Sequence, residues 1–438
     1  MTTKRIILSA ITLWAFTLLS AQNVSYYTST ANNIETLRVR YWSDAQSDER
    51  IDPRRPHLVL PAEGKIDGTD PNNTLEISFD EMSHDAHQYS YQLLHLNANS
   101  QKSDLSEIDY IYGFTHGDIT SSELSINTSR DYTHYSFQFP NEDMQITHSG
   151  LYALRIYPSE SDPEEECVAV VCFAVVEERT DINLSVNSNT PIEVAGRFQQ
   201  VDIEVDTRRL NYKNANEVWI LVRQNERIDN QTFIKHATFV ETNKLRYSNH
   251  SQLVFEGGCE YHHFDTYSTY FAGTNVDYIR YENGDYHALL MPDQIDKTGN
   301  YMHTFDTDGQ RVVNAERTDY DDTEAEYMWV HWVLYNNEPI LDGSIYVAGD
   351  VFNNQFIPIR NRMIYDYTNQ CYYLNALVKQ GGVDYQYQLV RKGETKATLL
   401  HTEGSHWQTD NTYSVYVFYR PFGARADELV GYYSSSSK

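Results

Sequence analysis

The stretch "TYSVYVFYRP" beginning at Thr412 alternates strictly: Tyr413, Val415, Val417 and Tyr419 share one face, and Ser414, Tyr416 and Phe418 share the other. A period of two residues marks an extended chain, because successive side chains of a strand point to opposite faces. In "DYIRYENGDYHALLM", Asn283-Gly284 separates two strand-like runs, and Asn-Gly accepts the positive φ angles of a two-residue hairpin turn. No segment after Ala21 keeps a helical period beyond a turn or two. Many short strands with turn signals between them predict an all-β chain of tandem β-sandwiches, immunoglobulin-like or early-set in type. The 35 tyrosines against 17 phenylalanines suit such sheets, since a Tyr ring packs while its hydroxyl meets water or a partner.

The first residues read differently. Lys4-Arg5 precede an apolar run from Ile6 to Leu19, and "LLSAQN" then offers small residues for cleavage between Ala21 and Gln22. This is the pattern of a secretory signal peptide, and the run is too short for a membrane anchor. No Cys follows it to carry a lipid. The 438 residues carry a formal charge of −28, and losing Lys4 and Arg5 makes the mature chain two units more negative. Such a chain is a poor partner for nucleic acid or an anionic membrane surface.

Composition divides the chain into a signal peptide (1–21), an N-terminal β-sandwich (22–177) and a second β domain (178–306). An acidic linker or loop (307–327), a C-terminal sandwich (328–422) and a tail (423–438) with a Ser run expected to be disordered complete the division. Cys167 and Cys172 fall on opposite faces of one strand and cannot bridge each other. A long-range bridge between Cys259 and Cys371 stays open.

No catalytic pattern is present: there is no HExxH, no GxSxG elbow, no P-loop and no GxGxxG. "DTDG" at Asp306 has its Gly at the wrong place for a calcium loop and reads as an Asx turn. "CEYHH" at Cys259 lacks the second ligand pair that zinc requires. With 62 acidic residues, a pair of carboxylates at glycosidase spacing carries no information. The reading is of a non-enzymatic protein with no catalytic, cofactor-binding or metal site.

"GSIYVAGDVFNNQ", from Gly343, is similar to the early-set modules that bind glycans in starch- and glycogen-handling proteins. There the motif is "GDFNxW", and the sugar stacks on the indole. Here Gln355 stands at the Trp position, and "RKGET" supplies no second Trp. Ile345, Val347, Met363, Tyr365, Tyr373 and Leu389 remain as core-type positions, so the module is expected to be scaffold.

Stretches along the rest of the chain carry a broader resemblance. "SDLSEIDYIYGF", "YTHYSFQFPNEDMQITHSGLYALRIY" and "CVAVVCFAVVE" lie in the first unit. "QQVDIEV", "FEGGCEYHHFD" and "YHALLMPD" follow, then "DTEAEYMWVHW", "GSIYVAGD" and "EGSHWQTDNTYSVYVFYRPFGARADELVG". In this order they resemble the type IX secretion system plug proteins of the Bacteroidota, over residues 35 to 431. One departure is "HLNANS": Leu96 and Ser100 stand where the family commonly has Cys and Trp.

The resemblance implies a periplasmic protein, not inserted in the membrane. It would bind the periplasmic opening of the outer-membrane translocon barrel, with other translocon subunits as further candidates, and seal it when no cargo passes. The alternative is a periplasmic or secreted glycan-binding sandwich protein. Tyr26 and Tyr27 near the start, with Tyr432 and Tyr433 near the end, are the candidate contacts, since aromatic anchors hold in salt where rim charges are screened.

Overall fold

The computed structural model describes residues 25–45, 57–295 and 300–438. The cleavage site at Ala21–Gln22 lies outside them. The predicted fold class holds: the described residues are almost all strand, arranged as three β-sandwiches. The Asn283-Gly284 hairpin is present, joining Val276–Glu282 to Asp285–Leu290 with both turn residues at positive φ.

The first sandwich runs from Ser29–Thr30 to Ala169–Val176. Its larger sheet centres on Gly150–Pro158, flanked by Tyr89–Leu96 and Ala169–Val176. Its smaller sheet is Ile34–Tyr41, Leu75–Glu81, Thr133–Phe139 and Ser121–Leu124. Phe79, Leu93, Tyr152, Leu154 and Val171 fill the space between them.

The larger sheet is apolar on its outer face as well. Leu94, Leu96, Leu151, Ala153, Ala174 and Val176 point away from the sandwich's own core and form a second cluster with Trp219, Leu221, Tyr416, Phe418 and Leu429. Leu96, the departure from the family pattern, sits in this seam and is fully covered. A sheet apolar on both faces cannot face water; each of its fully buried Leu or Val side chains contributes about 1.5–3 kcal/mol when covered.

The partner in that seam overturns the expected domain boundaries. The second sandwich pairs Asp181–Asn187, Phe198–Asp206, Lys244–Tyr247 and Val254–Glu256 in one sheet. Its other sheet joins Val218–Gln224 to Thr412–Tyr419 and then to Glu428–Ser436. The two faces read in "TYSVYVFY" are thus both buried: Tyr413, Val415, Val417 and Tyr419 in the second sandwich's own core, Tyr416 and Phe418 in the seam. Thr412–Tyr419 therefore belongs with residues 178–256 rather than with 328–422. Nor is 423–438 a loose tail, because Glu428–Ser436 is an edge strand that carries the fully buried Leu429 and Val430.

The third sandwich is inserted between these two parts of the second. It starts at His262–Asp265, well before residue 328, and its centre is Gly381–Arg391. The expected linker 307–327 is part of it: Arg311–Val313 pairs with Gly381–Val383, and Asp321–Glu324 is a helical turn. Sequence order misled here because an inserted domain returns the chain to a sheet it left some 190 residues earlier (Val218–Gln224 to Thr412–Tyr419).

Leu429→Ala should cost about 2–5 kcal/mol, the range for truncating a fully buried leucine. Urea unfolding checks this; a change below about 0.5 kcal/mol would mean that the C-terminal strand is not part of the folded unit.

Candidate interaction surfaces

The smaller sheet of the first sandwich alternates as half-buried strands do. In "LEISFDE", Leu75, Ile77 and Phe79 enter the core, while Glu76, Ser78 and Asp80 face outward. Yet Asp80 is fully buried, because the third sandwich covers that face. Its Oδ2 accepts from Lys379 Nζ at 2.7 Å and from the Tyr327 hydroxyl at 2.7 Å, and its Oδ1 accepts from His134 Nδ1 at 2.7 Å. His134 stands opposite Asp80 across the strand pair. Tyr327 also shares a 2.6 Å hydrogen bond with Thr36, and Lys379 lies 4.3 Å from the centre of the Tyr132 ring. Burial opposes ionisation of Asp80, but the Lys379 ammonium and the His134 bond outweigh it and hold the carboxyl at about 2.

Charged and polar contacts extend the joint. Lys379 also donates to the Asp322 carbonyl, and Arg38 pairs with the Asp322 carboxylate at 3.0 Å. Glu326 accepts the Ser129 amide at 2.7 Å. Arg130 grips both oxygens of Asp285 at 2.9 and 2.8 Å, and Asp285 also accepts from Trp329 Nε1. The acidic run that reads as a solvated linker therefore supplies joint contacts. The first sandwich thus meets the second through an apolar seam and the third through a charged one.

The turn where a glycan module would hold its sugar lies in this second joint. Gly349 to Gln355 fold as a helical turn over Asp350–Phe352, ended by Asn353 and Asn354 at positive φ. Phe352 packs on the third sandwich's core beside Trp332. Arg360 reaches across to Thr30 at 2.6 Å and pairs with Glu35, and Arg311 donates to the Leu37 carbonyl. Burial, against the pull of Arg360, pushes the Glu35 carboxyl up to about 7. The gap left between the turn and the first sandwich is about 10 Å³, room for a single water at most. A wider cleft of about 1030 Å³ lies between the second and third sandwiches, but the described residues lining it include no Tyr, Trp or Phe on which a pyranose could stack.

The candidate contacts divide in two. Tyr26 and Tyr432 are half-buried against the apolar seam, with the Tyr432 ring 4.1 Å from that of His57 and 5.0 Å from that of Tyr416. Tyr27 and Tyr433 are exposed. Of the core-type positions in the third sandwich, Ile345, Val347, Met363 and Leu389 are buried and Tyr365 packs at the core's edge. Tyr373 instead points outward, since its neighbours Tyr372 and Leu374 take the inner face.

"DTDG" is an Asx turn, the Asp308 amide donating to Asp306 Oδ1 at 3.0 Å. In "CEYHH", His262 bonds Glu403 and His263 bonds Asp384. Among the described residues no group of three or more His, Cys, Asp or Glu is placed to hold a metal ion, and no disulfide joins any of the four cysteines. No helix among them is long and apolar enough to cross a membrane.

Residues 66–177, most of the first sandwich, match the family model described as the first domain of the type 9 secretion system plug protein. The chain belongs to the type IX secretion system plug protein family. A hypothetical protein from Parabacteroides merdae, solved by crystallography, is 31% identical over 94% of this chain and all of its own, with a TM-score of 0.86. That likeness covers all three sandwiches. The BSP domain of a biofilm-associated protein (8% identity, 96% of this chain and 62% of that one, TM-score 0.19) and dimeric latent PorU from Porphyromonas gingivalis (9%, 92% and 34%, TM-score 0.15) are too distant to carry an argument. No curated protein matches the chain. As a plug-family member the protein is associated with the secretion system.

Lys379→Met should destabilise the protein by about 3–5 kcal/mol, because it strands the buried Asp80 charge. Adding Asp80→Asn should recover most of the loss. Asp80's folded pKa is depressed, so the stability it contributes is present above the usual carboxylate range and fades as pH falls towards about 2. Urea titrations of the three proteins at pH 7 check this; an unaffected Lys379→Met would show that the pair does not hold the joint.

Proposed function

We propose that the protein is a periplasmic plug without catalytic activity. It docks on the periplasmic opening of the type IX outer-membrane translocon barrel and closes it while no cargo passes. A cleaved leader ending at Ala21 delivers it to the periplasm, and it acts from the inner side of the outer membrane. The observation that carries this reading is the plug-family match over the first sandwich, the domain that both other sandwiches grip.

The joints fit the role. A plug has to resist deformation across its own body and still leave its partner. Here the internal contacts are buried, one apolar and one ionic, while the contact with the barrel is separate and reversible. The glycan-binding alternative is disfavoured because the turn that would hold the sugar lacks its Trp and packs against the first sandwich. The contact with the barrel rests on aromatic side chains, with Tyr27 and Tyr433 the exposed members of the two Tyr pairs.

Co-purification with the detergent-solubilised barrel across a salt series tests the reading. The expected result is retention at high salt, weakened when Tyr26-Tyr27 or Tyr432-Tyr433 are changed to Ala. Binding that vanishes at high salt while both Ala variants bind normally would replace aromatic anchoring by a charge-driven dock; no binding under any condition would reject the plug.

A further inference from the structure

One face of the third sandwich is bare where its neighbours are covered. Its larger sheet runs Val276–Glu282, Asp285–Leu290, Tyr327–Tyr335, Cys371–Lys379 and Ile364–Asp366. On the outer side, the end carrying Tyr327 and Lys379 is buried under the first sandwich. The rest of that side continues from the joint into solvent. Two adjacent rows across it read Tyr278–Leu289–His331 and Val333–Tyr373–Ile364. Tyr278, Tyr373 and Ile364 are 42%, 37% and 54% exposed.

No carboxylate interrupts these two rows, in a chain with 62 acidic residues. Acids outnumber bases at the border, with Asp277, Glu282 and Asp366 against Arg280, which pairs with Glu282 at 3.2 Å. Aromatic enrichment with charge depleted at the centre and kept at the rim is the composition of a protein-binding patch. The imidazoles on this face are already paired. His331 Nδ1 donates to Asn375 Oδ1 at 2.7 Å, and His287 Nδ1 donates to His331 Nε2 at 3.0 Å. Covering the face would therefore strand none of these donors, which removes a main cost of burial.

Resting on the plug reading, we propose that this sheet face is a further surface that docks on the translocon, beside the Tyr27 and Tyr433 contacts, and that it fits a protein surface with an apolar centre bordered by Lys and Arg. Three observations select that occupant. The border is acidic and the chain's charge is −28, so its long-range field draws a basic partner. A second copy would bring the same charge to a face with the same acidic border. Five neighbouring strands at about 4.8 Å spacing, bare for about three to six residues each, present about 400 Å², or about 800 Å² over both partners. That is the low end for specific contacts, where associations come apart readily.

The test uses the full-length protein and the purified barrel in detergent, with affinity measured by biolayer interferometry. Ile364→Lys and Tyr373→Lys, separately and together, place a cation where the partner's apolar centre would meet it. Phe239→Lys, on an exposed edge strand of the second sandwich, is the control, and thermal unfolding confirms that all variants fold. The double variant should bind more than tenfold weaker, with the control within twofold of wild type. Wild-type affinity in the double variant overturns the assignment of the face while leaving the plug reading intact. If wild type itself does not bind, both fall. A concentration-dependent dimer in sedimentation that the Lys variants abolish would make the occupant a second copy and overturn the proposal.

Discussion

The architecture depends on the ion pair between Asp80 and Lys379. A carboxylate taken wholly out of water is costly unless opposite charge and hydrogen bonds replace the solvent, and this one has an ammonium, an imidazole and a phenol around it. The first two of its partners come from different sandwiches. The third sandwich must therefore sit where it does, or leave a buried charge unpaired. The apolar seam on the other side of the first sandwich has no such directional demand. It contributes area, and the ionic joint contributes orientation.

This division gives meaning to the insertion. Two chain crossings tether the third sandwich to the second, and the charged joint locks it to the first. The inserted sandwich presents the bare sheet face, so the lock also sets the direction in which that face points. A body fixed internally by buried contacts and open externally at modest aromatic surfaces can bind and leave as a unit.

Much of the fold was legible in the sequence. Period-two alternation in "TYSVYVFY" and the Asn283-Gly284 turn led to strands that the structure contains. The boundaries were not legible, because strand patterning says which residues alternate and not which sheet a strand joins. Glu428–Ser436 looked like a tail since its Ser run lacks core residues; Leu429 and Val430 just before it carry the burial. The joint was hidden for a related reason. Asp80, His134 and Lys379 are polar residues on strands, and only a second domain on top of them makes them interior. The one available signal was the acidic stretch around Asp322, which pairs with Arg38 rather than lying free. Tyr373 was read as core because "CYYLNALVK" offers two adjacent Tyr and the phase of a single strand is easily set wrong by one residue.

A plug is defined by closing its barrel. Single-channel conductance of the translocon barrel in a planar bilayer measures it directly, with the protein added to the periplasmic side. A plug should produce a concentration-dependent loss of conductance that reverses on washing and is weaker for the Ile364→Lys/Tyr373→Lys variant. Unchanged conductance at protein concentrations that saturate binding would contradict it.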